Sequence, residues 1–321
     1  QVKIATKLPP FMVSKLDNAK KIFTTQLSRL QTDYIDYYLL HMLTDKPMFD
    51  RLKGLGVMEW LEDLKAKGTI KNIGFSFHGT KADFEKILTA YPWDFCQMQY
   101  NYMDENNQAT KSGLLLAASL GIPVIVMEPL RGGKLVTNLP AIAKKAFASC
   151  NEKRSPAEWA LRWVWNHPEV NLLLSGMSDE AQLADNIRIA LDATPNSLST
   201  DELKVFDQVK AVLLEKTKIP CTACGYCMPC PYGVDIPGCF SYYNDKYLMN
   251  DKSIRFKYMQ NLGALAVKPS NASQCRNCGK CESHCPQNIA IRAQLKTVSR
   301  EMEGIFYKPI VGIARKIMRI K

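Results

Sequence analysis

Six times in the first 180 residues a short apolar run gives way to a stretch whose apolar positions recur at helical spacing. The runs are VKIATKL (Val2 to Leu8), YIDYYLLH (Tyr34 to His41), IKNIGFSF (Ile70 to Phe77), FCQMQYN (Phe95 to Asn101), PVIVMEPL (Pro123 to Leu130) and NLLLSGM (Asn171 to Met177). Short, β-branched and bounded by turn-forming residues, they read as buried strands. Between them, Leu16, Ala19, Phe23, Leu27 and Leu30 mark one helix face, Val57, Leu61 and Leu64 a second, and Phe84 and Leu88 a third. Ser14 with Asp17 resembles a capping box, and Ser155, Pro156 and Glu158 supply a cap, a first-turn proline and a reciprocal acid. Such alternation predicts a parallel sheet with helices outside it, either doubly wound or a (β/α)8 barrel. No Gly-x-Gly-x-x-Gly turn supports the dinucleotide-binding doubly wound form.

The pattern changes after residue 180. Ser199 and Glu202 cap a further helix with Leu203, Phe206, Val209 and Leu213 on one face, and KTKIP (Lys216 to Pro220) leads into a cysteine-rich segment. Cys221, Cys224, Cys227 and Cys230 precede Pro231; Cys275, Cys278, Cys281 and Cys285 precede Pro286. Three thiolates two residues apart, then a fourth followed by proline, is the bacterial ferredoxin spacing, in which one tight loop wraps three corners of a cubane. Two [4Fe–4S] clusters are therefore expected, the first run being one residue tighter before its last cysteine. Zinc is the competing reading, but its sites normally use two separated Cys-x-x-Cys pairs. In two-cluster ferredoxins the fourth cysteine of each run ligates the other cluster. That pattern would group Cys221, Cys224 and Cys227 with Cys285, and Cys275, Cys278 and Cys281 with Cys230.

The two runs hold eight of the eleven cysteines, so a disulfide framework is the poorer explanation, and a reducing cytoplasm is expected. No apolar run approaches the length of a membrane span. The 321 residues leave room for a large core plus a small cofactor-stabilised module. The formal charge of +11 is uneven: from Arg292 to Lys321, eight Lys or Arg face only Glu301 and Glu303. There Ile310, Ile313, Ile317 and Ile320 lie near helical spacing among Arg315, Lys316 and Arg319, as in a helix docked on the protein or a frayed tail, with a membrane-surface helix as the alternative. Between the cysteine runs, Tyr242, Tyr243, Tyr247 and Tyr258 read as plain core.

The series ATK ending at Lys7, DYYLLH ending at His41, IGFS ending at Ser76, QMQYN from Gln97, EPLRGG from Glu128, and SGMS with QLADN from Ser175 resembles the aldo-keto reductases, in particular the subgroup with a C-terminal ferredoxin-like module. The resemblance implies a (β/α)8 barrel that holds NAD(P)H across the C-terminal ends of its strands and reduces small-molecule carbonyls by hydride transfer. It implies an aldo-keto reductase-like barrel over 1–216, a ferredoxin-like domain with two clusters over 217–298, and a basic tail over 299–321. The family's catalytic set is Asp, Tyr, Lys and His. Lys7 and His41 match the last two; Asp and Tyr belong to a segment ahead of the Lys strand. The expected fold is thus a barrel lacking its first two β/α units in this chain, and the chain by itself is expected to be inactive.

By the same resemblance, Ser76 and Gln97 match positions that hold the nicotinamide carboxamide. Gly176, Ser178, Gln182 and Asn186 match the loop and helix around the adenosine phosphate. Phe77 stands where an Asn often follows the Ser, Met127 where a Tyr often stacks on the nicotinamide, and Gln182 where a basic residue often holds the 2′-phosphate. An electron-transfer partner is expected beside the carbonyl substrate; nucleic acid is not. Hydride carries two electrons and a cluster accepts one, so direct exchange would need a flavin or radical relay that no motif here reveals. The rival reading is an electron-transfer or structural iron–sulfur module on a barrel with vestigial reductase chemistry.

Overall fold

The computed structural model describes residues 2–137, 139–248, 253–264 and 268–317. Packing divides the chain into two compact units, one comprising Gln1–Pro129 with Ala160–Leu198, the other Leu130–Trp159 with Ser199–Lys321.

The first unit is built on six parallel strands in sequence order: β1 (Ala5–Leu8), β2 (Ile35–Leu43), β3 (Ile70–Phe77), β4 (Phe95–Gln99), β5 (Val124–Met127) and β6 (Val170–Leu173). Every expected strand forms, most of them shorter than the apolar run that signalled it. Val2 and Lys3 lie outside β1, for example, and β2 runs two residues past His41. Helices follow the strands, and the central strands are dry, with all five residues of β4 buried. Gly74 on β3 lets the Phe95 ring lie against the backbone, since a Cβ there would meet it at 2.6 Å. Leu172 and Leu174 at β6, and Leu183, Ile187 and Leu191 on the helix Glu180–Asp192, are exposed.

Two local departures shape the site. The pairing of β2 with β3 slips between Leu40 and Leu43, so that His41 and Met42 together stand opposite Ser76. Met42 takes φ of 52°, the left-handed kink by which a bulge re-aims a strand. Beyond the strands, His78 N–H donates to the Leu43 carbonyl at 2.9 Å, and a Cβ at Gly79 would run into the Thr44 carbonyl. Glycine at 79 thus lets the two strand ends close on one another.

In the second unit, the helices Ile236–Leu248, Ile254–Met259, Ile291–Met302 and Tyr307–Ile317 enclose a core of Ile219, Val234, Phe240, Tyr258, Leu295, Val298 and Val311, among others. Helix Thr200–Lys216 has the expected capping box, with Ser199 N–H donating to Glu202 at 2.7 Å and Glu202 N–H to Ser199 Oγ at 3.3 Å. Its buried face carries Val205, while Leu203 points out at 38% exposure, contrary to the sequence reading. At the first helix, Leu16–Leu30, the reciprocal group is Asn18 rather than Asp17, accepting from Ser14 Oγ and Lys15 N.

A linear cut at 216 does not follow the packing, because 130–159 and helix Thr200–Lys216 belong to the cysteine-bearing unit. Nor is 299–321 a free tail: helix Ile291–Met302 crosses its boundary, and Tyr307 and Val311 are buried. Ile310 and Ile313 are exposed; Arg319, Ile320 and Lys321 lie outside the described residues. Tyr243 and Tyr258 are core, as expected, and are tied by polar groups that only charge counting had noticed. Glu301 accepts from Tyr243, Lys246 and Tyr247, and Glu303 from Tyr258, Asn271 and the Ser273 amide. These bonds hold the Glu301 carboxyl down at about 2. Among the described residues, no helix is long and apolar enough to cross a membrane.

Candidate functional sites

Parallel strands in sequence order bring their C-terminal ends to one edge of the sheet, and Lys7, His41, Ser76 and Gln97 all lie toward those ends. Lys7 is half-buried, and desolvation lowers its amine. His41 is pushed down to about 4, first by burial and then by the Lys7 charge, so at neutral pH it is an uncharged imidazole next to an ammonium. Its Nδ1 lies 3.3 Å from Ser76 Oγ, which accepts the Met42 amide at 2.8 Å. In the tautomer whose Nδ1 accepts from the Ser76 hydroxyl, Nε2 carries the ring hydrogen, the donor needed for an oxygen that gains negative charge.

Behind His41 lies a polar network that sequence reading did not assemble. His78 is buried, and burial followed by the His41 charge pushes it to about 4. Its Nδ1 lies 3.2 Å from Gln108 Oε1; Gln108 donates to Gln99, and Gln99 and Asn101 both donate to Asp104. The only sequence signal was polar residues, Gln99 and Asn101, closing an apolar strand. The expected cofactor residues fall in two places. Ser76 and Gln97 are buried, and Gln97 Nε2 reaches Met127 Sδ at 3.1 Å. Gly176, Ser178 and Gln182 are exposed after β6, where the Ser178 amide donates to Gln182 Oε1 at 3.0 Å and Asn186 donates to Ser175 Oγ at 2.9 Å.

The cysteine runs form two copies of one loop. Ala223 and Gly225 in the first, and Asn277 and Gly279 in the second, have positive φ at matching offsets, which turns backbone N–H groups toward the loop interior. After each fourth cysteine the chain makes the same turn: Gly233 N–H donates to Cys230 O and Asn288 N–H to Cys285 O, again with positive φ at both donors. Cys221, Cys224, Cys227 and Cys285 line one open cavity together with Pro286, Ile236 and Phe240. Thr222, also on its wall, is buried with a hydroxyl that has no protein partner.

This donor set suits an iron–sulfur cluster. Thiols are its only metal-binding groups, they surround a space, and an orphaned hydroxyl faces sulfide-accepting chemistry. A single tetrahedral ion would need its thiolates within ~4 Å of one another. Next to Cys221, Lys134 donates to its carbonyl at 2.8 Å, and Gly132 passes close enough that a Cβ would lie 2.9 Å from the Thr222 carbonyl. The Arg-Gly-Gly-Lys sequence was visible, but nothing in it disclosed a cysteine loop 87 residues away.

Family models match both parts of the chain. The model of the Aldo/keto reductase family matches residues 1–211, and that of a 4Fe-4S dicluster domain matches residues 220–290. An uncharacterized oxidoreductase of Schizosaccharomyces pombe is 27% identical over 168 residues, which are 51% of this chain and 50% of that protein, so the chain spans about half the length of this curated relative. Among solved structures, the holo form of an aldo-keto reductase from Bacillus halodurans is 25% identical with a TM-score of 0.53, over 65% of this chain and 72% of that one. An aldo/keto reductase from Klebsiella pneumoniae in complex with NADP and acetate is 26% identical with a TM-score of 0.52, over 65% and 70% of the two chains. The chain thus belongs to the aldo/keto reductase family and joins an α/β oxidoreductase fold of that family to a 4Fe-4S dicluster domain.

Proposed function

We propose that the protein interconverts a small-molecule carbonyl and its alcohol with NAD(P)H, and that two [4Fe–4S] clusters give it a separate one-electron function. The observation that carries the first part is the Lys7–His41 pair, a lysine whose charge adds to burial in depressing an imidazole that lies 3.3 Å from Ser76 Oγ. Bound nicotinamide would supply the hydride. The Nε2–H of His41 orients the carbonyl oxygen and stabilises the charge it gains, while Lys7 favours the ionised form of the phenol from which the family draws its proton. Ser76, Gln97, Gly176, Ser178, Gln182 and Asn186 are proposed cofactor contacts. Ser76 acts on this reading through the bulge as well as through any contact of its own. We read the six strands as six of a barrel's eight units, a view favoured by the exposed leucines at β6 and on the helix that follows it.

Carbonyl-dependent NAD(P)H oxidation by the protein carrying all eight barrel units tests the first part, the 321 residues alone being expected to show no turnover. Lys7→Met and His41→Gln should each lower kcat by about 100-fold or more while leaving cofactor affinity nearly unchanged, the loss expected when a group acts mainly in the transition state. Unchanged turnover in both variants would make the two residues ordinary strand-end polar groups. Iron and acid-labile sulfide near two cubanes per chain after anaerobic purification supports the second part; zinc in their place overturns it.

A further inference from the structure

The two cysteine loops share a backbone path, so the residues that differ between them show what each loop presents to solvent. In the first, the positions between and beside the cysteines are Thr222, Ala223, Gly225 and Tyr226, none of them charged. In the second they are Arg276, Asn277, Gly279 and Lys280. Arg276 takes the place of Thr222 and is exposed where Thr222 is buried; Lys280 takes the place of Tyr226 and is also exposed. Cys278, between them, is an exposed thiol. Glu282, which follows the third cysteine, pairs with Arg292 at 2.7 Å and accepts its amide at 2.8 Å. Cys224 is exposed as Cys278 is, but only in the second loop do two exposed cations, Arg276 and Lys280, flank the exposed sulfur.

Resting on the two-cluster reading above, we propose that the second loop is the electron port of the protein, and that its partner is an acidic one-electron carrier protein. Placing a carrier's redox centre over Cys278 sets its acidic surface against Arg276 and Lys280, and complementary charge speeds such encounters more than it strengthens them. With a flavodoxin as carrier the exchange balances without protons: FMN hydroquinone anion loses one electron to become the neutral semiquinone, and the oxidised cluster gains that electron. It also gives the clusters a source of single electrons that does not depend on hydride.

The probe is an acidic flavodoxin mixed anaerobically with the cluster-loaded protein in a stopped-flow instrument. Semiquinone absorbance is followed in whichever direction exchange runs downhill. Exchange should be fast at low salt and slow steeply as salt rises. Arg276→Glu with Lys280→Glu should slow it at least tenfold, while reduction of the clusters by photoreduced deazaflavin and the iron and sulfide content stay as in the wild type. Equal flavodoxin rates in the variant and the wild type, or no exchange in either direction with clusters intact, would overturn the port. A protein lacking two cubanes before any substitution would instead overturn the cluster reading on which the port depends.

Discussion

His41 Nδ1 and Ser76 Oγ lie 3.3 Å apart across a bulge that sets two residues of one strand against one of the next. Ser76 also accepts the Met42 amide, so one hydroxyl both stabilises the left-handed residue and contacts the histidine ring. Ser76→Ala removes both bonds and strands a buried N–H. The expected cost is about 1–3 kcal/mol of stability. If the proposed chemistry holds, kcat should fall further than the loss of folded protein explains, and Ser76→Thr should restore part of it. Denaturant midpoints measured beside kcat separate the two effects.

Two buried histidines also make the first unit acid-sensitive. His41 and His78 are each held to about 4, against an ordinary value of 6.5, so below 6.5 the unfolded chain binds protons that the folded protein does not. Stability from these groups is complete above pH 6.5 and is lost as pH falls toward 4. For fully buried His78 the total is on the order of 3 kcal/mol; half-buried His41 contributes less. His78→Gln, which keeps a partner for Gln108, should flatten the slope of the urea midpoint between pH 7 and 5. An unchanged slope would locate the acid sensitivity elsewhere.

The sheet was legible because strands buried on both faces read as continuous apolar runs, and His41 was singled out by the family resemblance at the end of one of them. The bulge was not legible: nothing in Leu40-His41-Met42-Leu43 marks the slipped pairing, which depends on Ser76 thirty-five residues later. Cysteine spacing disclosed the ligands because a cluster demands that spacing. It did not disclose Lys134 or the orphaned Thr222 hydroxyl, which reach the first loop only through folding. Leu203 misled for a simpler reason, since a helix with apolar residues at 203, 205, 206, 209 and 213 admits two neighbouring faces, and packing chose the one with Val205.

Lys134 should set the first loop's potential. Burial lowers its amine, with Cys221 and Asp245 opposing that shift and Arg131 adding to it, and the amine donates to the Cys221 carbonyl at 2.8 Å. A cation at that distance favours the reduced cluster, which carries one more negative charge. Lys134→Met should therefore move the midpoint of one cluster to a more negative potential by roughly 60 mV, a tenfold change in a one-electron equilibrium. The other cluster should not move. Redox titration followed by electron paramagnetic resonance reads both, and equal shifts in the two would mean a change of fold rather than of local field.

The cavity walls favour ligands shared between the two runs. Cys285 lies with Cys221, Cys224 and Cys227 on one cavity although its own run begins at Cys275, and Pro286 after it lines the same space. Proline cannot continue the loop's hydrogen bonding, and the turn closed by Asn288 carries the chain toward helix Ile291–Met302. If the ligands cross in this way, each cluster ties the two loops together, and the intervening residues 231–274 form a segment whose order depends on cluster assembly. Cys285→Ala should then damage the cluster held by the first run and leave Cys275, Cys278 and Cys281 with their own. Cys230→Ala should do the reverse. Mössbauer or paramagnetic resonance spectra of the two variants, compared with those of Cys224→Ala and Cys278→Ala, identify which cluster is lost: under crossed ligation Cys285→Ala resembles Cys224→Ala, and under separate ligation it resembles Cys278→Ala.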